Sequence, residues 1–195
     1  MIPFPAKKYN IIYADPPWAF RVWSDKGKGR SAEQHYSTMT LDELKKLPIS
    51  DGGGCIAADD CALFMWVTFP LLREGLELIE AWGFKYKTCA FCWVKQNKKN
   101  DGIFKGMGYY TRSNPELCLL ATRGRVLERK SRSVSSVIIS HIERHRKKPA
   151  ETRERIVELL GDLPRIELFA RDAAPGWDVW GNEAPQNQEP KGETR

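Results

Sequence analysis

Two kinds of segment alternate along this chain: short, continuously apolar runs and longer stretches in which apolar positions recur at helical spacing. Tyr9 to Ala14 (YNIIYA), Cys61 to Thr68 (CALFMWVT), Tyr86 to Lys95 (YKTCAFCWVK), Glu116 to Thr122 (ELCLLAT) and Arg165 to Arg171 (RIELFAR) are of the first kind. Runs of this length without polar alternation predict strands buried on both faces, and Trp177 to Trp180 (WDVW) is a shorter sixth candidate. Leu71 to Trp82 sets Leu72, Leu76 and Ile79 on one stripe and is closed by Gly83, which predicts a helix. Pro149 to Leu160 predicts another, with proline in the permitted first turn and Gly161 past the end. Thr40 followed by Glu43 has the spacing of a capping box opening a short helix through Leu47. The glycine-containing polar segment from Arg21 to His35 reads as a loop.

Strands alternating with helices predict an α/β sandwich built on a largely parallel sheet. Residues 1–183 are expected to form a single domain, with 184–195 a polar, proline-containing flexible tail. Ligands of such sheets bind at the carboxyl ends of strands near a topological switch point. Asp15 stands at the carboxyl end of the first run, where Pro16 and Pro17 stop it because neither can donate to a ladder.

Composition narrows the classes. At 195 residues and 42% hydrophobic, the chain supports one well-buried core. No run approaches the roughly 18 apolar residues of a membrane helix, and the first residues lack a secretory pattern, so the expected location is the cytoplasm. Five cysteines form no framework. Cys89 and Cys92 make a C-x-x-C, but it lies in a predicted strand, where a three-residue offset is expected to point them to opposite faces. No second pair completes a metal site, so the thiols read as free and no metal is expected.

The net charge is +6, and its placement is uneven. From Lys95 to Lys148 there are fourteen Lys or Arg against four acids, which leaves the remainder of the chain slightly acidic. That asymmetry fits a polyanion-binding face, and equally a solvated basic surface. His141 and His145 sit within this basic region and read as part of it.

Asp15-Pro16-Pro17-Trp18 after an apolar strand resembles the Asp/Asn-Pro-Pro-aromatic motif of amino-methyltransferases, in the Trp form of the MT-A70-like adenine N6-methyltransferases. The chemistry accounts for these residue types. Adenine N6 is a poor nucleophile because its lone pair is delocalised into the ring. Two acceptors, the Asp15 carboxylate and the Pro16 carbonyl, would hold both amine hydrogens and turn the lone pair toward the methyl donor. Pro16 and Pro17 would keep those acceptors preorganised, and Trp18 would stack on a purine withdrawn from its duplex. The resemblance runs from about Tyr9 to Glu183: His35 to Met39, Leu63 to Thr68, Cys92 to Lys95, Asn114 to Leu119, Lys148-Pro149, Glu167 to Arg171 and Trp177 to Asn182 match the family's segments in order.

This resemblance implies a Rossmann-like three-layer sandwich of the permuted class I methyltransferase type, with S-adenosylmethionine as cofactor. It places Lys148 on the cofactor carboxylate at the start of a helix, with Asp15 beside the cofactor and Arg171, Asn182 and Glu183 at its ribose and adenine end. Ala173-Ala174 stand where the family often carries His-Asn, which removes or replaces one ribose contact. Tyr36 would sit at the substrate gate, Lys95 and Asn114 on the acceptor side, and Arg129 and Lys130 on nucleic-acid phosphates. Trp66, Trp93 and Phe169 read as core. Nucleic acid is the implied partner, DNA in preference to RNA because no RNA-binding module is appended. Relatives work as homodimers or heterodimers, and no interface stripe selects between them. A catalytically silent scaffold is the competing class, against which the intact Asp15 stands.

Overall fold

The computed structural model describes residues 3–19, 38–50, 55–143 and 147–184. Its elements in chain order are β1 (Tyr9–Ala14), α1 (Leu41–Lys45), β2 (Ala57–Val67), a 3₁₀ turn (Phe69–Leu71), α2 (Leu72–Ala81), β3 (Lys85–Gln96), β4 (Glu116–Arg123), β5 (Val137–His141), α3 (Glu151–Leu160), β6 (Arg165–Leu168) and β7 (Asp178–Trp180). Seven strands form one sheet in the order β5-β3-β4-β2-β1-β6-β7. Four of the six pairings are parallel, and β4 runs antiparallel to both of its neighbours. The reason is the connection: no helix lies between β3 and β4, and a parallel return would need a crossover.

The continuous apolar runs are explained by helices on both faces. Ile12, Ala14, Leu63, Met65 and Leu119 pack with Leu44 of α1 and Leu78 and Ile79 of α2 in one buried cluster. Their strand neighbours Ile11, Tyr13, Phe64, Trp66 and Phe91 pack with Ile156 and Leu160 of α3 in the other. The result is the expected Rossmann-like three-layer sandwich. The capping box at α1 forms as its spacing predicts: Glu43 N–H donates to Thr40 Oγ1 at 3.3 Å, and Thr40 N–H donates to Glu43 Oε2 at 2.7 Å. That helix ends at Lys45, two residues short of expectation.

Four features differ for physical reasons. β2 begins at Ala57, because Asp59 and Asp60 belong to it despite their charge; Asp60 accepts the Arg125 amide at 2.7 Å and its guanidinium at 3.0 Å. β6 stops at Leu168, since Phe169 takes φ 61 and leaves the extended conformation. β5 has only the three apolar residues Val137 to Ile139 to announce it: it is an edge strand with Val137 and Ile139 exposed. Finally, Cys89 and Cys92 do not point to opposite faces. A register shift between Cys89 and Phe91 sets Cys89 opposite Leu119 and Cys92 opposite Leu117, two residues apart on β4 and so on one face. Tyr36, the Arg21–His35 loop, His145 and residues 185–195 lie outside the described residues. No helix among the described residues is long and apolar enough to cross a membrane.

Candidate active site

Strand directions decide which chain ends share an edge. β1, β2, β3 and β6 run the same way, so Asp15, Thr68, Lys95 and Phe169 all emerge at the carboxyl edge of the sheet. Antiparallel β4 brings its first residue there instead: Val67 pairs with Leu117 and Trp93 with Glu116. Lys148 reaches the same edge because it precedes α3, whose chain then runs back along the opposite face to feed β6. The α1 and α2 connections cover one face of the sheet and α3 the other, with β1 between β2 and β6. That is the switch point at which a crevice opens.

A compact charge cluster occupies it. Lys148 Nζ donates to both Asp15 oxygens, at 2.8 and 2.7 Å, and lies 3.3 Å from Glu116 Oε2. Lys95 Nζ donates to the other Glu116 oxygen at 2.6 Å. The side chains are mostly covered: Lys148 is 13% exposed, Lys95 16%, Glu116 18% and Asp15 28%. Burial by itself pulls the Lys148 ammonium down, but Asp15 and Glu116 outweigh it and hold the pKa above the usual lysine range. Burial likewise lifts Glu116, but Lys148 and Lys95 outweigh it and keep its carboxyl below the ordinary glutamate range. Glu116 and Lys148 are therefore held in their charged forms, and acidic and basic side chains alternate along the cluster. The Lys148 ammonium also sits 5.6 Å from the centre of the Trp66 ring, whose indole N–H donates to the Tyr13 hydroxyl at 2.6 Å. Burial drives the Tyr13 phenol well above its ordinary pKa, so it stays neutral as an acceptor.

Asp15 is followed by a stapled loop. Trp18 N–H donates to the Pro16 carbonyl at 2.8 Å, Met39 N–H to the Pro17 carbonyl at 2.9 Å, and Ala19 N–H back to the Met39 carbonyl at 3.1 Å. The Trp18 indole N–H reaches the Trp66 carbonyl at 3.4 Å. With a proline at each of two positions and bonds to the segment before α1, this loop has little freedom. The Pro16 carbonyl keeps a second lone pair for another donor.

The other expected residues divide into three groups. Arg171, Asn182 and Glu183 gather at the ends of β6 and β7, with Arg171 Nε 3.5 Å from Glu183 Oε2. Backbone meets backbone there: a Cβ on Gly181 would lie 2.8 Å from the Phe169 Cα, so only glycine fits, and Phe169 holds φ 61 opposite it. Phe169 itself packs on the core, its ring 5.6 Å from that of Trp180. Trp66 and Trp93 are buried, as read from the sequence. Asn114, expected on the acceptor side, bonds backbone at that edge: its amide accepts the Lys95 N–H at 2.8 Å and donates to the Lys95 and Phe104 carbonyls at 2.8 and 2.5 Å. It is a clamp between strands. Arg129 and Lys130, expected on nucleic-acid phosphates, lie away from the charge cluster, because the Lys130 amide donates to the Leu159 carbonyl in the last turn of α3. Lys148 stands before its first turn, and ten helical residues separate the two ends by roughly 15 Å. Glu116 was not singled out from the sequence. Its signal was the acid opening an apolar run after Asn114-Pro115, legible only once β4 is known to be antiparallel.

An α/β sandwich with a proline-stiffened acid at the carboxyl end of its first strand is the arrangement of a Rossmann-like amino-methyltransferase. The chain belongs to the MT-A70 family, whose family model matches residues 9–183. It is 36% identical over 200 residues to the type II methyltransferase M.MunI of Mycoplasma sp, an alignment covering 94% of this chain and 81% of that protein. It is 30% identical to the N(6)-adenosine-methyltransferase subunit METTL3 of Danio rerio and 29% identical to the catalytic subunit METTL3 of Homo sapiens. Both of those alignments cover 90% of this chain but only 28% of the relative.

Proposed function

We propose that the protein transfers a methyl group from S-adenosylmethionine to the N6 amine of adenine in nucleic acid, with DNA the preferred substrate. The observation that carries this reading is the Asp15 carboxylate, fixed at the switch point beside the free lone pair of the Pro16 carbonyl and neutralised by a buried lysine. DNA is favoured because the likeness to the type II methyltransferase is the more extensive one and covers most of both chains.

The residues present fit the cofactor. A buried, firmly protonated Lys148 at the head of α3 suits a carboxylate. Arg171, Asn182 and Glu183 at the ends of β6 and β7 supply donors and an acceptor for a nucleoside. Bound there, S-adenosylmethionine supplies an electrophilic methyl group on a sulfonium centre. The remaining work falls to the chain. Asp15 and the Pro16 carbonyl accept the two N6 hydrogens, which orients the lone pair; Trp18 offers its ring to the purine. Each Asp15 oxygen keeps a second lone pair, so one can take an N6 hydrogen while Lys148 stays paired, and Glu116 at 3.3 Å shares the ammonium. The N6 proton is not removed in advance. It becomes acidic once nitrogen gains positive charge, and Asp15 is then the adjacent acceptor.

The test offers labelled S-adenosylmethionine with matched DNA and RNA oligonucleotides, single- and double-stranded, followed by nucleoside analysis. N6-methyldeoxyadenosine is expected from DNA, at a rate exceeding that from RNA. A product set without any N6-methyladenine overturns the reading; an RNA-only product keeps the chemistry and replaces the substrate.

A further inference from the structure

The segment between β3 and β4, residues 97–113, is not used by the chemistry above. It is nonetheless built, not loose. The Asn114 clamp fixes its base to Lys95, and Phe104 N–H donates to the Lys95 carbonyl at 2.9 Å. Asn97 N–H donates to the Gly102 carbonyl at 2.8 Å, and Gly106 N–H to the Ser113 carbonyl at 2.7 Å, so two arms run together toward a tip. At that tip a Cβ on Gly108 would fall 2.0 Å from the Thr111 carbonyl oxygen, a contact no other residue could make. Across this reversal the chain presents Tyr109 and Tyr110, 87% and 93% exposed, with ring centres 5.0 Å apart and planes nearly perpendicular. Two adjacent aromatic side chains so exposed carry a hydration cost that their edge-to-face contact offsets only in part.

Charge identifies what covers them. Much of the basic stretch is committed within the protein: Lys95 and Lys148 to Glu116, Arg125 to Asp60, Lys130 to Glu128 and Lys147 to Glu143. Lys98, Lys99, Lys105 and Arg112 of this loop are exposed and, among the described residues, pair with no acid side chain, Arg112 donating instead to the Lys105 carbonyl at 3.4 Å; Asp101, the loop's own acid, lies with His141 at 3.2 Å. Four such cations around two aromatic rings match a polyanion carrying flat bases. Reach is sufficient. Six residues separate Tyr110 from Glu116, at most about 21 Å of chain, which spans roughly six base steps.

We infer that the 97–113 loop is a wedge for duplex DNA: Tyr110, backed by Tyr109, inserts beside the target adenine and holds the stack open while that base occupies the Asp15 pocket. The inference rests on the reading of the site as a DNA adenine methyltransferase. Withdrawing a base leaves a gap in the stack, and an inserted aromatic ring recovers part of the lost stacking. The loop cations hold the flanking phosphates and set the depth of insertion.

The experiment compares the wild-type protein with Tyr110→Ala, Tyr110→Phe and Tyr109→Ala/Tyr110→Ala on duplex DNA lacking N6-methyladenine and on the same DNA heat-denatured. The double variant is expected to lose at least tenfold in kcat/KM on duplex, within the roughly 5- to 150-fold that one stacking contact carries. On denatured DNA it should change less than threefold, and Tyr110→Phe should behave as wild type on both. Equal loss on both substrates, or none on either, overturns the wedge. Permanganate footprinting separates failure of the wedge from failure of the chemistry, because it needs no turnover. Wild-type protein with S-adenosyl-homocysteine should expose unpaired thymines in the duplex and the double variant should not. An unreactive duplex under wild-type protein overturns the wedge whatever the methylation assay shows.

Discussion

Every residue of the site has a partner of opposite sign, which makes single substitutions informative. Asp15→Ala removes the acceptor that orients the amine and leaves Lys148 with Glu116 alone. Loss of one preorganised electrostatic contact costs about 10²- to 10³-fold in turnover, so activity should fall by at least that much while the thermal midpoint and circular dichroism show an intact fold. Glu116→Gln tests the cluster by pH. The folded pKa of Glu116 is lowered, so its stabilisation is present above the unfolded value near 4.3 and is lost as pH falls through the folded one. Lys148 is raised, so its contribution is present below about 10.4 and is lost as pH rises beyond the folded value. Glu167 works the other way: burial raises it despite the Arg153 contact at 2.5 Å, so protonation in acid favours the fold. Urea denaturation should show Glu116→Gln roughly 1–3 kcal/mol less stable than wild type at pH 7, a gap that starts to narrow below about pH 4.3 and closes as pH falls through the lowered folded value. A gap that stays constant to pH 3 would mean that Glu116 contributes shape and not charge.

Elements were readable in the sequence to the extent that burial was symmetric. β1, β3, β4 and α2 are apolar runs or stripes, and their positions follow from the letters alone to within a residue or two. Asp15 as the chemical centre was legible for the same reason, as an acid with two prolines ending a buried strand. Whatever depended on pairing was not legible. The bulge that turns Cys89 and Cys92 to one face comes from the β4 register, and the role of Glu116 comes from the β4 direction. β5 escaped because an edge strand buries only Ile138, with Ser140 half-buried on the same side. Asn114 shows the same limit in the opposite sense, since a polar residue beside the site pattern is a backbone clamp holding β3, β4 and the wedge loop in register. Asn114→Ala takes the Asn114 partner from the Lys95 N–H and the Phe104 carbonyl, while the Lys95 carbonyl keeps the Phe104 N–H. It should cost about 1–3 kcal/mol in denaturation, and it should raise KM for duplex DNA with little change in cofactor Kd. A matching rise in cofactor Kd would locate the clamp's effect in the pocket instead of the loop.

At the scale of the whole molecule, a net charge of +6 understates the field because committed and uncommitted cations are counted together. Arg123 donates to the Ser50 carbonyl at 2.7 Å, and Arg125 and Lys130 pair with acids at 3.0 and 2.6 Å, so all three already have protein partners. Among the described residues the loop cations Lys98, Lys99, Lys105 and Arg112 pair with no acid, Arg112 reaching only the Lys105 carbonyl of its own loop, and the loop leaves β3 at the edge where Asp15, Glu116 and Lys148 meet. Phosphate binding releases counterions, with a slope of log K against log salt of about −0.9 for each phosphate neutralised. Replacing the four loop cations with glutamine should therefore flatten that slope by up to about 3.6 and weaken duplex binding most at low salt. Replacing Arg123, Arg125 and Lys130 instead should move the slope by less than about one and should lower stability through the lost internal contacts. Fluorescence anisotropy of labelled duplex between 50 and 300 mM salt measures both. If the two triple or quadruple variants change the slope alike, phosphates are gripped over the entire basic stretch and the loop has no privileged role. If the loop variant alone flattens it, the DNA path runs over the 97–113 arms into the Asp15 pocket, which puts the long-range field and the reacting amine on one edge of one sheet.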